Sequence, residues 1–290
     1  MRMSIVIATK NRAALLERAL RSLRVQIGAP SFEVVVADNG SSDETRAVVQ
    51  AADAHGPVPV RYAYEDRANR GLARNAGVRI AQGYLILFCD DDVQAPPGWV
   101  AAHDAAHAEG DLAVSGPILN VASYDERPRP ALTNYSRAFF CTCNVSLPRY
   151  AFDAVGGFDE AFDLYGWEDT ELGMRLRSLG LQRRFAWDAY VWHHKPASHD
   201  ALRDDARKAV EKARMAVRFV RKQPTRRARL ATGLHPLNVL RGKYLLSESV
   251  LAIFAGAACT PWVPRPLRSL ARARFLDAAY TRELVRAIDE

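Results

Sequence analysis

Leu85-Ile86-Leu87-Phe88-Cys89-Asp90-Asp91-Asp92-Val93 is the stretch that decides the fold class. Together with Tyr84 before it, the apolar run 84–89, too short for a helix and closed by a turn signal, reads as a strand buried on both faces, the kind that builds helix-covered parallel sheets. The triplet behind the strand is a chemical signal. Three adjacent carboxylates repel one another unless a cation offsets them, and oxygen ligands of this kind suit Mg²⁺ or Mn²⁺. An acidic turn capping the next helix is the plainer alternative, but a cap needs one Asp and not three.

Upstream, Ser4–Ala8 is a β-branched run ending in the polar stretch Thr9–Arg12, after which Leu15, Leu16, Ala19, Leu20 and Leu23 recur at helical spacing. Phe32–Ala37 repeats the pattern and stops at the turn cluster 38–43, with a helix expected from about Glu44. Val60–Tyr64 reads as a third strand and Gly71–Gln82 as a helix. Strands alternating with helices predict an α/β fold with a mostly parallel central sheet, and ligands gather at the carboxyl ends of such strands.

Downstream, Gly166-Trp167-Glu168-Asp169-Thr170-Glu171-Leu172 opens a helix expected to bury Leu172, Leu176 and Leu179. Acidic residues at a helix start are favoured by the dipole, and a carboxylate held there beside a cleft can also act as a general base. His193-His194 follows a strand expected over 189–192, and alternation would turn the two rings to opposite sides, so one faces the site. Arg74 offers a guanidinium to a base or phosphate, with a plain surface Arg as the alternative. Cys141 and Cys143 read as small core residues sharing one strand face. Trp167 fits either a sugar-stacking platform or core packing.

The chain holds 290 residues, 49% hydrophobic and 25% charged, within the range of folded globular proteins. Its net +7 hides an asymmetry: residues 1–200 carry 21 Lys+Arg against 25 Asp+Glu, and residues 201–290 carry 19 against 8. The halves are therefore −4 and +11. A boundary near residue 200 is expected, separating a core domain (1–200) from a basic, amphipathic helical extension (201–290). The extension, over 201–260, is expected to lie on an anionic membrane surface, with core packing or a homodimer contact as the competing roles. Nucleic acid is not expected as a partner. The apolar run 250–259 is too short to span a bilayer. Four cysteines without a C-x-x-C pair, and a strand starting almost at Met1, predict reduced thiols and a cytoplasmic protein, peripheral at the inner face of the cell membrane.

Taken in order, SIVIATKNR, VVVADNGSSDET, NRGLARNAGVRIAQG, LILFCDDDV, CNVSLPRYAFDAVGGFDEAF, GWEDTELGMRLRSLG and VWHHKP resemble the family-2 glycosyltransferases of the GT-A fold over about residues 4–196. The resemblance implies a metal-dependent, inverting enzyme that transfers a sugar from a nucleotide-sugar donor, weakly favouring a UDP-sugar, to a glycan, lipid-linked or cell-envelope acceptor. It implies a nucleoside-binding set of Ala8, Thr9, Asp38 and Arg74, with Asp90 or Asp91 near the ribose and Asp92 on the metal. It makes Asp169 the base, with Glu168 supporting the acceptor and His193 a further metal ligand. Ala8 and Lys10 depart from the family, which often has Pro and an aromatic there.

Two other classes compete. A catalytically silent membrane-surface or glycan-binding protein on the same fold is opposed by the intact acidic clusters. A sugar-1-phosphate nucleotidyltransferase needs a glycine-rich phosphate loop after the first strand, where this chain has Ala8-Thr9-Lys10-Asn11-Arg12.

Overall fold

The computed structural model describes residues 1–196 and 201–290. They form two compact units: Met1–Asp163 with Glu168–Pro196, and Leu164–Trp167 with the chain beyond Pro196. The second unit thus takes in the four residues that run into the Glu168-Asp169 pair.

In the first unit, strands β1 (Met3–Thr9), β2 (Phe32–Asp38) and β3 (Val60–Tyr64) alternate with helices α1 (Ala13–Leu23), α2 (Thr45–His55) and α3 (Arg70–Ile80). Then follow β4 (Leu85–Asp90), β5 (Val93–Gln94), α4 (Trp99–Ala106), β6 (Leu112–Ser115) and β7 (Ile118–Val121). The unit ends with β8 (Asn144–Pro148), α5 (Arg149–Ala154), α6 (Glu168–Ser178), β9 (Gln182–Phe185) and β10 (Val191–His194). The main sheet runs β3-β2-β1-β4-β8-β6-β9, and β5-β10-β7 form a smaller one. Within the main sheet only β8 runs against its neighbours, so the sheet is mostly parallel, as the alternation predicts.

Strand alternation assigns the two layers of core. Ile5, Ile7, Val34, Val36, Leu85 and Leu87 pack with Leu16, Leu20 and Val49 of α1 and α2 and with Trp99 of α4. Their neighbours in sequence, Val6, Val35, Ile86 and Phe88, pack with Ala73 and Val78 of α3, Phe152 of α5, and Leu172 and Leu176 of α6. Asn69 caps α3, its side chain accepting from Leu72 N. Gly77 lets α3 approach the sheet: a Cβ there would lie 2.8 Å from Val6 Cγ1 and 3.1 Å from Ala37 Cβ.

Three local expectations are corrected. Helix α6 stops at Ser178 and Leu179 is exposed, because the turn at Gly180 carries it away from the core face. The last strand covers 191–194 rather than 189–192, so both histidines lie in it. Cys141 and Cys143 precede β8 in a turn and share no strand face.

The second unit holds α7 (Ala201–Lys222), α8 (Arg226–Thr232), α9 (Pro236–Tyr244), α10 (Glu248–Cys259) and α11 (Arg265–Asp289). Its core joins Ala213, Ala216 and Val217 of α7 to Leu284 and Ala287 of α11. Among the described residues, no helix is long and apolar enough to cross a membrane.

Candidate functional site

Parallel register brings the candidate residues to one sheet edge. Thr9 pairs with Asp38 across β1 and β2, Ala8 with Asp90 across β1 and β4, and Asp38 with Tyr64 across β2 and β3. The loops after β1 and β2 are laced together. Asn11, in the left-handed region at φ 52°, donates its N–H to Ser41 Oγ at 2.9 Å and accepts from Ser42 N at 2.7 Å. Ala13 N donates to Asp43 Oδ2 at 2.9 Å.

A cleft of about 490 Å³ opens beside this lacing, lined by Asp38, Ser41, Asp43, Arg46, Tyr62 and Tyr64. Asp38 is buried, accepting Ser41 N at 2.8 Å on Oδ1 and the Tyr62 hydroxyl at 2.6 Å on Oδ2. Burial and the Asp38 carboxylate push the Tyr62 phenol far above its ordinary value, so it stays a donor. Tyr64 stacks beside Tyr62 with ring centroids 6.5 Å apart. Neither tyrosine carries a sequence signal beyond membership of a strand.

The three aspartates after β4 have different surroundings. Asp91 turns inward, accepting from Thr9 Oγ1 at 2.8 Å and from Arg12 Nη1 at 2.9 Å. Burial still raises its pKa above the ordinary carboxylate value. Asp90 keeps a partly exposed carboxylate 3.4 Å from Arg74 Nη2. Asp92 lies 3.2 Å from Arg12 and 3.1 Å from His193 Nε2. Burial opposes ionisation of Asp92, but His193 and Arg12 outweigh it and lower its pKa.

The His193 contact tests the fit for a cation. His193 Nδ1 lies 3.1 Å from Asn120 Oδ1, an acceptor, so the ring hydrogen belongs on Nδ1. Nε2 and the buried, otherwise unpartnered Asp92 Oδ1 then face each other as two lone-pair groups, which only a proton or a cation can reconcile. Carboxylate, thiol and imidazole atoms of Asp90, Cys143 and His193 also lie within 4.8 Å of one another. These residues fit a divalent cation. His194 faces away and stacks on Tyr124 with ring centroids 3.8 Å apart. Cys143 is a core residue as expected, but its place beside His193 and Asp90 shows only in three dimensions.

Asp169 sits in the first turn of α6, with Oδ2 accepting from Thr142 N at 2.9 Å and Thr142 Oγ1 at 3.1 Å. Its Oδ1 is sealed from solvent without a partner, as is Glu168 Oε2. Burial raises the Asp169 pKa to about 7, with Arg74 pulling against it and Glu168 adding to it. Arg74 is only 6% exposed, and besides the Asp90 contact it interacts electrostatically with Asp169 and Glu168. The structure therefore places Arg74 between the carboxylates after β4 and those at the start of α6, rather than in the Asp38 cleft. Glu171 is occupied by Arg175, at 2.8 and 2.6 Å. Trp167 belongs to the second unit, stacked on Phe219 at 5.3 Å and donating through Nε1 to Lys212 O at 3.0 Å.

The model of the family described as "Glycosyl transferase family 2" matches residues 4–163, more than half of the chain. Two validoxylamine A glucosyltransferases, from Streptomyces hygroscopicus subsp. limoneus and subsp. jinggangensis, are each 34% identical over 269 residues, covering 77% of this chain. The chain spans only 57% and 61% of their lengths. Among solved structures, the mannosyltransferase PcManGT of Pyrobaculum calidifontis, in complex with GDP-Man and Mn²⁺, superposes with a TM-score of 0.66 at 20% identity. That match covers 97% of this chain and 86% of the other. TarS 1-349 of S. aureus with UDP-GlcNAc gives 0.60 at 18% identity, covering 99% and 92%. The chain has the GT-A fold and belongs to glycosyl transferase family 2.

Proposed function

We propose that the protein is an inverting glycosyltransferase that moves a sugar from a nucleoside-diphosphate donor to an acceptor hydroxyl. The observation that carries this reading is the pairing, across the buried guanidinium of Arg74, of a cation-binding set with a carboxylate whose proton affinity suits neutral pH.

The donor's base enters the cleft at Asp38, whose carboxylate accepts a ring N–H while Tyr62 and Tyr64 offer aromatic faces. An imide N–H of the uracil type fits, which favours a UDP-sugar. Ala8 and Thr9 border the nucleoside, and Asp90, the most open of the three aspartates beside Arg74, is placed for the ribose. Asp92 and His193 would hold a divalent cation, Mn²⁺ or Mg²⁺, with Asp90 and Cys143 close by. When bound, the cation supplies charge stabilisation to the departing diphosphate. Asp169 takes the proton of the acceptor hydroxyl, which attacks the anomeric carbon from the side opposite the leaving group and inverts its configuration. Glu168 supports the acceptor. Thr142 and Arg74 favour the ionised form of Asp169 and partly offset its burial.

The relatives named as glucosyltransferases and the fold neighbours holding GDP-Man with Mn²⁺ or UDP-GlcNAc support the donor class. A glycan or lipid-linked acceptor of the cell envelope, met at the cytoplasmic face of the membrane, completes the reading. The test is a donor screen with Mn²⁺ or Mg²⁺, reading nucleoside diphosphate release beside an Asp92→Ala control and the product anomer by NMR. Metal-dependent release lost in the control, with inversion, is expected. Release indifferent to Asp92→Ala, or a retained anomer, defeats the mechanism. Absence of nucleotide binding by calorimetry favours a silent protein.

A further inference from the structure

The second unit spends the apolar stripe of α7 internally: Ala213, Ala216, Val217, Phe219 and Val220 are buried. That removes α7 as a source of free apolar surface. A different stretch exposes it. Helices α9 and α10 both pack on α11. Leu237, Leu240 and Tyr244, spaced three and four apart along one face of α9, are all more than half exposed. Helix α10 is apolar along most of its 12 residues and buries none of them, with Ile253 at 68% exposure. The turn after it presents Trp262 at 86% exposure. A monomer in water rarely leaves so many large apolar side chains uncovered in one run of sequence.

Charge identifies what covers them. Residues 233–276 carry six Lys/Arg (Arg241, Lys243, Arg265, Arg268, Arg272, Arg274) and one acid, Glu248. Arg241 and Arg272 are neutralised by Asp277 and Asp205. Among the described residues, Arg265, Arg268 and Arg274 form no ion pair. A second copy of the same face would bring positive charge against positive charge. An anionic lipid surface supplies the missing sign, accepts Leu and Ile into its acyl boundary, and seats Trp and Tyr at the headgroup level. Basic stems also lie along such a boundary with their heads in water.

We propose that the face formed by α9, α10, the Trp262 turn and the start of α11 docks on an anionic bilayer surface without crossing it. This reading is independent of glycosyl transfer, because binding needs no donor or acceptor.

The test is flotation of the full chain with vesicles of phosphatidylcholine alone and of equal parts phosphatidylcholine and phosphatidylglycerol. Binding to the anionic vesicles at low salt is expected, weakening as salt rises and absent on phosphatidylcholine alone. Replacing Arg265 and Arg268 by Ser should weaken binding about 25-fold, from roughly fivefold per basic residue at the surface. The double variant Ile253→Glu, Trp262→Glu should abolish it. Both pairs are surface changes, and unchanged melting temperatures would confirm intact folding. No flotation with wild type, or flotation indifferent to both double variants, overturns the proposal. A wild-type dimer that Ile253→Glu splits, without vesicle binding, assigns the face to a second copy and overturns it too.

Discussion

Thr142→Val isolates the chemistry proposed for Asp169. The substitution keeps the side-chain volume and the backbone N–H donor at 2.9 Å, and deletes only the hydroxyl that reaches Asp169 Oδ2 at 3.1 Å. A hydrogen bond to an ionised group contributes about 1.5 kcal/mol, and 1.36 kcal/mol corresponds to one pKa unit, so the Asp169 pKa should rise by about one unit. The sign follows from the role: a base works only when unprotonated, so activity is lost as pH falls through the Asp169 pKa, and a higher pKa moves that loss to higher pH. From a starting value of about 7, wild type at pH 7 is about half ionised and the variant about one-tenth, a roughly fivefold deficit that closes by about pH 9. The assay is the initial rate of nucleoside diphosphate release across that range at donor and metal well below saturation, where the profile reports Asp169 in the unloaded protein. A wild-type rate flat between pH 6 and 8, or a variant reduced equally at every pH, would refute the assignment.

Other outcomes follow from the same geometry. Asp92→Ala should weaken calorimetric Mn²⁺ binding at least a hundredfold, and His193→Ala about tenfold, since the latter leaves both nearby carboxylates in place. Tyr62→Phe removes the donor to Asp38 Oδ2 and should raise the donor KM about tenfold with kcat nearly unchanged. Gly77→Ala should lower stability by about 1–3 kcal/mol, read as a falling Tm, because the new methyl meets Val6 and Ala37. Trp167→Ala should lower kcat without changing donor KM, with Trp167→Phe keeping most activity, because the ring grips Phe219 one residue before Glu168. A raised acceptor KM in both variants would instead make Trp167 a sugar platform.

The order of strands and helices through β4 was readable from sequence because parallel buried strands and amphipathic helices leave strong periodic signals. The acidic clusters stood out because no packing rule calls for them. Strand β8 left no such periodic signal, because its polar residues Asn144 and Ser146 are buried and bonded: Trp99 Nε1 donates to Asn144 Oδ1 at 3.0 Å, and Ser146 Oγ lies 2.8 Å from both His103 and His107. Burial lowers the pKa of these histidines to about 3 and about 4, so they stay neutral partners. Periodicity assumes that polar side chains face water, and here another helix satisfies them. Thr142, Tyr62 and Tyr64 escaped notice as site residues, and Cys143 read only as a core residue, for a related reason, since each gains its role from groups 24 to 53 residues away in sequence. Arg74 carried a signal as a cation near a phosphate site, but not its position between two sets of carboxylates.

That position imposes reciprocity. Arg74 is the shared counter-charge of Asp90 and Asp169, so a change at one end is felt at the other. Positive charge arriving beside Asp90 and Asp92 favours the ionised form of Asp169, and by thermodynamic necessity ionised Asp169 favours that arrival by the same factor. Loading of the proposed donor end and ionisation of the proposed base are then linked by one coupling free energy. The acid side of the rate profile should coincide with the pH at which affinity for the cation begins to fall.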